Sequence, residues 1–113
     1  MTAPQGPASE PAVDYVSPLP PVRSGIADYS VDLLPHLRSE GDVRVLGLPG
    51  QPVDPAVAER FGVVAADAAR PAAGWPASPR LPLYQMGNNR HHAPVAAMAL
   101  ERPGVVTLHD LVL

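Results

Sequence analysis

Four short apolar runs lie along the chain, and three of them are rich in the β-branched residues that strands favour. They occupy residues 13–16, 42–48, 81–86 and 105–108. The prolines of the segment SPLPP end the first run, whereas the third run, LPLYQM, continues past its own Pro82. The pattern therefore predicts four strands.

Two helical patterns connect these strands in pairs. Between residues 26 and 40, apolar side chains recur at intervals of three and four, at Ile26, Tyr29, Leu33, Leu34 and Leu37. Pro35 is expected to kink this helix or to break it near Leu34. Residues 91–101 predict a second helix with Pro94 in its first turn.

The resulting order is β-α-β-loop-β-α-β. A helix between two apolar strands implies parallel pairing with a right-handed crossover, so residues 13–113 are predicted to form part of an α/β, Rossmann-like parallel sheet with flanking helices. Residues 1–12 are expected to form a disordered leader. The Pro- and Ala-rich residues 49–80 are predicted to be a long surface connection that holds only a short helix at residues 55–61.

Composition narrows the classes of protein. At 113 residues the chain is at most one domain, and its few aromatic residues predict a small core and leave a barely folded chain as an alternative. The net charge of −3 and the scattered arginines exclude a basic nucleic-acid surface. The absence of cysteine excludes disulfides and thiolate zinc sites. No apolar run approaches the roughly 20 residues of a transmembrane helix, and no signal peptide is evident, so we expect a cytoplasmic protein.

Candidate binding residues follow the predicted strands, because ligands bind outside the carboxyl ends of parallel strands in open α/β sheets. If the first, third and fourth strands are neighbours, their loops bring together Arg23, Ser24, Gly25, Asn88, Asn89, His91, His109 and Asp110. Ser24 and Gly25 offer a helix N-terminus to an anion, or they are a helix cap and a sterically required glycine. The two asparagines offer amides to sugar hydroxyls, or they only form a tight turn.

His109 has the most specific chemistry of these residues. A histidine at a strand terminus orients or deprotonates a hydroxyl, and the carboxylate of Asp110 accepts hydrogen bonds beside it. Alternatively, Asp110 caps a following helix. His91 and His92 are adjacent and point about 100° apart on a helix, so they make a poor chelating pair and we expect no metal. No dinucleotide-binding, P-loop or nucleophile-elbow motif is present.

Three segments, in this order, resemble the N-terminal, acceptor-side domain of bacterial glycosyltransferase family 4 enzymes, which are retaining transferases of the GT-B type. The segments are YVSPLPPVRSGIADYSVDLLPHL, LYQMGNN and PGVVTLHDLVL. The resemblance covers residues 13–113, although the Pro-rich middle contributes little. It implies two Rossmann-like domains with the active site between them and a nucleotide-sugar co-substrate, with no essential metal or other cofactor.

The resemblance also implies roles for individual residues. His109 matches the family's active-site histidine near the transferred sugar, and the backbone amide of Gly25 is expected to approach the donor diphosphate. The other donor- or acceptor-binding candidates are Arg23, Ser24, Asp28, Tyr29, Asn88, Asn89 and Asp110.

The chain departs from the family in what it lacks. The family's C-terminal domain, which carries most nucleotide contacts and an E-x7-E type motif, is absent, as are the later strands of the N-terminal domain. We therefore expect a fragment of a glycosyltransferase that is inactive alone and whose main packing partner is the missing domain. The alternative is a non-catalytic α/β binding or interaction module. Peripheral association with the inner membrane face is known in the family, but no basic amphipathic helix supports it here.

Overall fold

The centre of the fold is a five-stranded, all-parallel sheet. The computed structural model describes residues 12–22, 25–87 and 90–109. The strands are β1 (Ala12–Val16), β2 (Asp42–Gly47), β3 (Val64–Ala65), β4 (Leu81–Met86) and β5 (Val105–Leu108), in the spatial order β3-β2-β1-β4-β5. The predicted α/β class, with a parallel sheet and flanking helices, is confirmed.

β1 is the central strand, and the chain adds strands on both sides of it. It first adds β2 and β3 on one side, then returns to add β4 and β5 on the other. This reversal makes β1 a topological switch point, and in open α/β sheets ligands bind outside the carboxyl ends of the strands at such a point. The candidate site is conditional on the first, third and fourth predicted strands being neighbours, and β1, β4 and β5 are adjacent in the sheet.

The described residues contain four α-helices. These are α1 (Gly25–Glu40), α2 (Pro55–Phe61), α3 (Ala66–Ala69) and α4 (Ala93–Glu101), with 3₁₀ turns at Trp75–Ala77 and Arg90–His92. The three predicted helices are confirmed, the last with its first residues in the second 3₁₀ turn. None of the helices in the described part of the chain has both the length and the apolar character needed to cross a membrane.

The expected break in α1 at Pro35 is wrong. The helix continues through Pro35 to Glu40. Proline removes one backbone hydrogen bond, but Leu34 is fully buried and Leu37 packs against the same core cluster, so tertiary packing holds the helix on both sides of Pro35.

The prediction for residues 49–80 is also wrong in part, because this segment contributes the fifth strand. β3 pairs with β2 through Leu46↔Val64 and Gly47↔Ala65. A strand of two residues is too short to show an alternating sequence pattern. The helix α2 within the segment has clear end signals. Asp54 Oδ1 accepts a hydrogen bond from Ala56 N at 2.9 Å, and Gly62 ends the helix with φ of 61°.

The predicted leader is one residue too long. Ala12 begins β1 and pairs with Asp42, because the ladder to β2 starts one residue before the predicted strand at residues 13–16. Residues 1–11 lie outside the described residues.

Both faces of the sheet carry a packed cluster. One face holds Val16, Leu46, Trp75, Tyr84 and Val95, and the other holds Tyr15, Leu19, Leu34, Val45 and Phe61. Neighbouring residues of a strand therefore enter opposite clusters, as the two-residue repeat of a strand requires. Helices α1 and α2 pack on the second face, and α3 and α4 pack on the first.

A buried carboxylate links the strands near their amino ends. Asp14, on β1, is fully buried and accepts two hydrogen bonds of 2.8 Å from Arg44. Arg80 Nε donates to the same carboxylate at 2.7 Å, and Arg102 Nη1 donates at 2.8 Å. Each carboxylate oxygen of Asp14 accepts two charge-assisted hydrogen bonds, so both oxygens are satisfied. We call Asp14 and these three arginines the Asp14 cluster.

The arginines of the Asp14 cluster also position the starts of strands. Arg80 directly precedes β4 and binds Asp42 Oδ2 at 2.7 Å, at the start of β2. Arg102 precedes β5, donates to the Arg80 carbonyl at 3.0 Å, and lies over the Trp75 ring at 4.2 Å. The cluster therefore connects four strands and the Trp75 turn.

Replacing Asp14 by asparagine is expected to lower the free energy of unfolding by about 3–5 kcal/mol, because it leaves buried guanidinium groups without their carboxylate. Urea denaturation measures the loss. The matched control is Asp42→Asn, whose carboxylate is exposed and whose loss should cost at most about 1 kcal/mol. Equal losses for the two variants would contradict a central role for Asp14.

Stability should also depend on pH through Asp14. Burial raises the pKa of Asp14, but hydrogen bonds from Arg44, Arg102 and Arg80 outweigh it and leave the pKa below the ordinary value of 3.8. The unfolded chain therefore binds this proton more readily than the folded chain does. The contribution of Asp14 should be complete above pH 3.8 and lost as the pH falls below it. The stability difference between wild type and Asp14→Asn, measured from pH 2 to 6, should shrink only in the acidic part of that range.

Candidate functional site

A chain of hydroxyl groups ties α1 to the carboxyl end of β1. Ser17 Oγ donates to the Pro18 carbonyl at 2.9 Å, so its neighbour Ser30, at 2.8 Å, must donate to Ser17. Tyr15 in turn donates to Ser30 Oγ at 2.7 Å. Burial raises the pKa of Tyr15 to about 12, so its hydroxyl remains protonated near neutral pH. These bonds fix the N-terminal half of α1 above the switch point.

Three contacts from β4 and α1 hold His109. Its backbone N–H donates to the Met86 carbonyl at 2.8 Å, which extends the β4–β5 ladder by one residue. Its ring Nε2 lies 2.6 Å from Oε1 of Gln85 on β4, a side chain that is only 1% exposed. Tyr29 of α1 meets the imidazole edge-on, with ring centroids 5.1 Å apart. His109 therefore has a defined position at the carboxyl edge of the sheet.

The contact with Gln85 also determines the tautomer of His109. An amide oxygen only accepts hydrogen bonds, so Nε2 must carry the proton and donate it. In the neutral ring, Nδ1 then has the lone pair. No described residue hydrogen-bonds Nδ1. Nδ1 is therefore the ring nitrogen that can accept a hydrogen bond.

Gly25 begins α1 one helical turn before Tyr29. Residues four apart lie on the same helix face, about 6 Å apart along the axis, so Gly25 shares the face that meets His109. A Cβ built on Gly25 would have no neighbouring atom within 4 Å. The interpretation of Gly25 as a sterically required glycine is therefore wrong for the described residues, because there is open space at this position.

Gly87 has the opposite environment. A Cβ at Gly87 would lie 2.9 Å from both His92 Nε2 and Ile26 Cδ1. The backbone after β4 thus packs directly on the start of α1 and on the 3₁₀ turn that contains His92. Glycine is the residue that permits this close approach.

The carboxyl edge also contains the buried polar atoms that lack partners. Among the described residues these are Gln51 Oε1 and both ring nitrogens of His92, which is 2% exposed. Gln51 follows β2 and uses its other amide atom, Nε2, to donate to the His91 carbonyl at 2.8 Å. Burial lowers the pKa of His92, and the nearby backbone of Gln85 raises it by a smaller amount. Neither ring nitrogen of His92 has a hydrogen-bond partner among the described residues. This edge holds unmet polar atoms, whereas Asp14 is fully bonded.

The structure places some of the predicted site residues and leaves others outside its description. Tyr29 meets His109, and Gly25 shares its helix face. Asp28 lies exposed in the first turn of α1. The predictions for Arg23, Ser24, Asn88, Asn89 and Asp110 fall outside the described residues.

Gln85 and Gln51 are not among the site residues predicted from the sequence, and His92 is weighed there only as a metal ligand. Gln85 stands near the end of the apolar run LPLYQM and is buried in β4. An amide side chain within an apolar strand was the signal that the sequence offered for it. Gln51 and His92 had no such signal, because a loop glutamine and a histidine beside another histidine are ordinary surface residues.

Comparisons of the chain with protein-family models, curated proteins and solved structures find no match. Within the described residues, no three histidine or carboxylate side chains are grouped so that they could hold a metal ion.

The two glycines of this edge give a matched pair of substitutions. Gly87→Ala should lower the free energy of unfolding by about 1–3 kcal/mol, because the methyl group forces His92 or Ile26 to move. Gly25→Ala should leave it unchanged or raise it by up to about 1 kcal/mol, because alanine is the better helix residue and the space is open. Thermal unfolding of both variants measures the contrast, and destabilisation by Gly25→Ala would refute the open environment.

Proposed function

We propose that the chain is part of the acceptor-side domain of a nucleotide-sugar-dependent glycosyltransferase of the GT-B type. The observation that carries the proposal is the arrangement of His109, which is fixed by Gln85 and Tyr29 at a topological switch point with Nδ1 as its basic nitrogen. It adds to the resemblance of the three sequence segments.

His109 is proposed to orient a hydroxyl group of the transferred sugar. In the reaction, the bond between the anomeric carbon and the diphosphate oxygen breaks, and the same carbon forms a bond to an acceptor hydroxyl oxygen. The hydroxyl proton leaves with the nucleoside diphosphate. His109 Nδ1 accepts a hydrogen bond from the sugar as charge develops at this carbon.

Gly25 is proposed to meet the donor diphosphate through its backbone. The N-terminus of a 16-residue helix favours an anion, and the open space at Gly25 lets an oxygen approach the helix end. Asp28, in the first turn of α1, and Tyr29, one turn after Gly25, are proposed to line the acceptor side.

The rest of the active site is proposed to come from a second, donor-binding domain. We expect the enzyme to work in the cytoplasm with a sugar nucleotide as co-substrate and with neither a metal nor another cofactor. The isolated chain is expected to be inactive, because one domain supplies only one side of the cleft.

One observation favours the alternative, a non-catalytic interaction module. Strand β5 is at the edge of the described sheet, and its apolar side chains Val105, Val106 and Leu108 are between 39% and 57% exposed. Such an edge suits pairing with another strand, whether from a partner or from the same domain.

His109→Ala in the complete reading frame that contains this chain should lower kcat on the order of 10²-fold or more, while the free energy of unfolding falls by about 1–3 kcal/mol, because the buried Gln85 oxygen loses its donor. Release of nucleoside diphosphate from UDP-, GDP- and ADP-sugars measures turnover, and urea denaturation measures stability. His36→Ala is the matched control, since His36 is an exposed histidine of α1.

Gly25→Ala in the same protein should raise KM for the sugar nucleotide roughly tenfold or more, because a methyl group enters the space proposed for the diphosphate.

Unchanged turnover in His109→Ala would refute the role of His109. A complete reading frame that encodes no second domain and releases no nucleoside diphosphate would favour the interaction module.

A further inference from the structure

The connection between β3 and β4 covers its face of the sheet only thinly. Across residues 66–80 the chain forms the one-turn helix α3 and the 3₁₀ turn Trp75–Ala77, where a longer helix would fill the layer beside α4. Trp75 is 7% exposed and fills much of this gap as part of the core. A cleft of about 400 Å³ remains between α3 and α4.

The inside of this cleft, which we call the Trp75 cleft, is mainly apolar. Trp75 and Met98 line it together with Pro49, from the loop after β2, and Pro94, from the first turn of α4. Its volume is within the range of small-molecule sites, and indole and thioether groups pack well against planar rings.

The rim of the Trp75 cleft is acidic. Arg70 Nη2 lies 3.5 Å from Glu101 Oε1, and both side chains are about half exposed, so this pair is neutral overall. Asp67 also lies on the rim, and its carboxylate pairs with no described residue. The three side chains together leave one net negative charge beside an apolar cavity.

We propose that the Trp75 cleft binds a small organic cation, in which a ring is joined to an ammonium group by a short chain. The ring packs on Trp75 and Met98, and the ammonium group meets Asp67 at the rim. The cation is placed at Asp67 rather than over the indole, because the Arg102 guanidinium already lies 4.2 Å from the indole centroid. An anion of the same shape would meet the carboxylate and bind less well. The site is independent of His109 and of the proposed sugar transfer.

The test uses Trp75, the one tryptophan of the chain, as its reporter. Fluorescence is titrated with 2-phenylethylammonium, 2-phenylethanol and phenylacetate, which share a ring and differ in charge. We expect saturable changes, with the ammonium compound binding about two- to fivefold more tightly than the alcohol and phenylacetate binding most weakly. The NMR signal of the Met98 methyl group should move in the same titrations.

Two variants separate charge from shape. Asp67→Asn should bring the affinity for the ammonium compound down to that for the alcohol, whereas Asp32→Asn, an exposed carboxylate of α1 on the other face, should change nothing. Ala97→Phe, which places a large side chain on the exposed wall of the cleft, should abolish binding of all three compounds. The proposal is overturned if no compound saturates, if Asp67→Asn keeps the preference for the cation, or if Ala97→Phe binds as wild type does.

Discussion

The Asp14 carboxylate is the interaction on which the rest of the fold depends. It is buried at the centre of the sheet and accepts hydrogen bonds from arginines on or next to three other strands. A buried charge is costly unless it is paired, so burying Asp14 in β1 requires the arginines that β2, β4 and β5 bring to it. The packing of Trp75 follows, since Arg102 contacts both the carboxylate and the indole ring.

The two ends of the sheet have different polar chemistry. Asp14, toward the amino end, has every oxygen bonded, whereas buried atoms of His92 and Gln51 lack partners at the carboxyl end. Proteins satisfy nearly all their buried polar groups, so these atoms are exceptions within the described residues. His109 lies at this edge, held from β4 and α1.

Much of the fold could be predicted from local patterns, and the predictions that were wrong have specific physical causes. The strand VDYV, the helix after it and the strand before His109 all have the periodicity of their class. Strand β3 escaped detection because two residues cannot show a period, and α1 passes through Pro35 because Leu34 is buried in a core that the local sequence does not reveal. Within the site, His109 and Gly25 were evident from their place after strands, but Gln85 was not.

The sequence by itself determined the class of the fold, the order of its elements and the residues that stand at strand ends, because these follow from local periodicity and turn chemistry. Only the tertiary structure decided which of them meet. The bond between Gln85 and His109, the ring contact with Tyr29 and the arginines around Asp14 join residues far apart in the chain. Such contacts depend on the strand order, which places β1, β4 and β5 side by side and which no local pattern specifies.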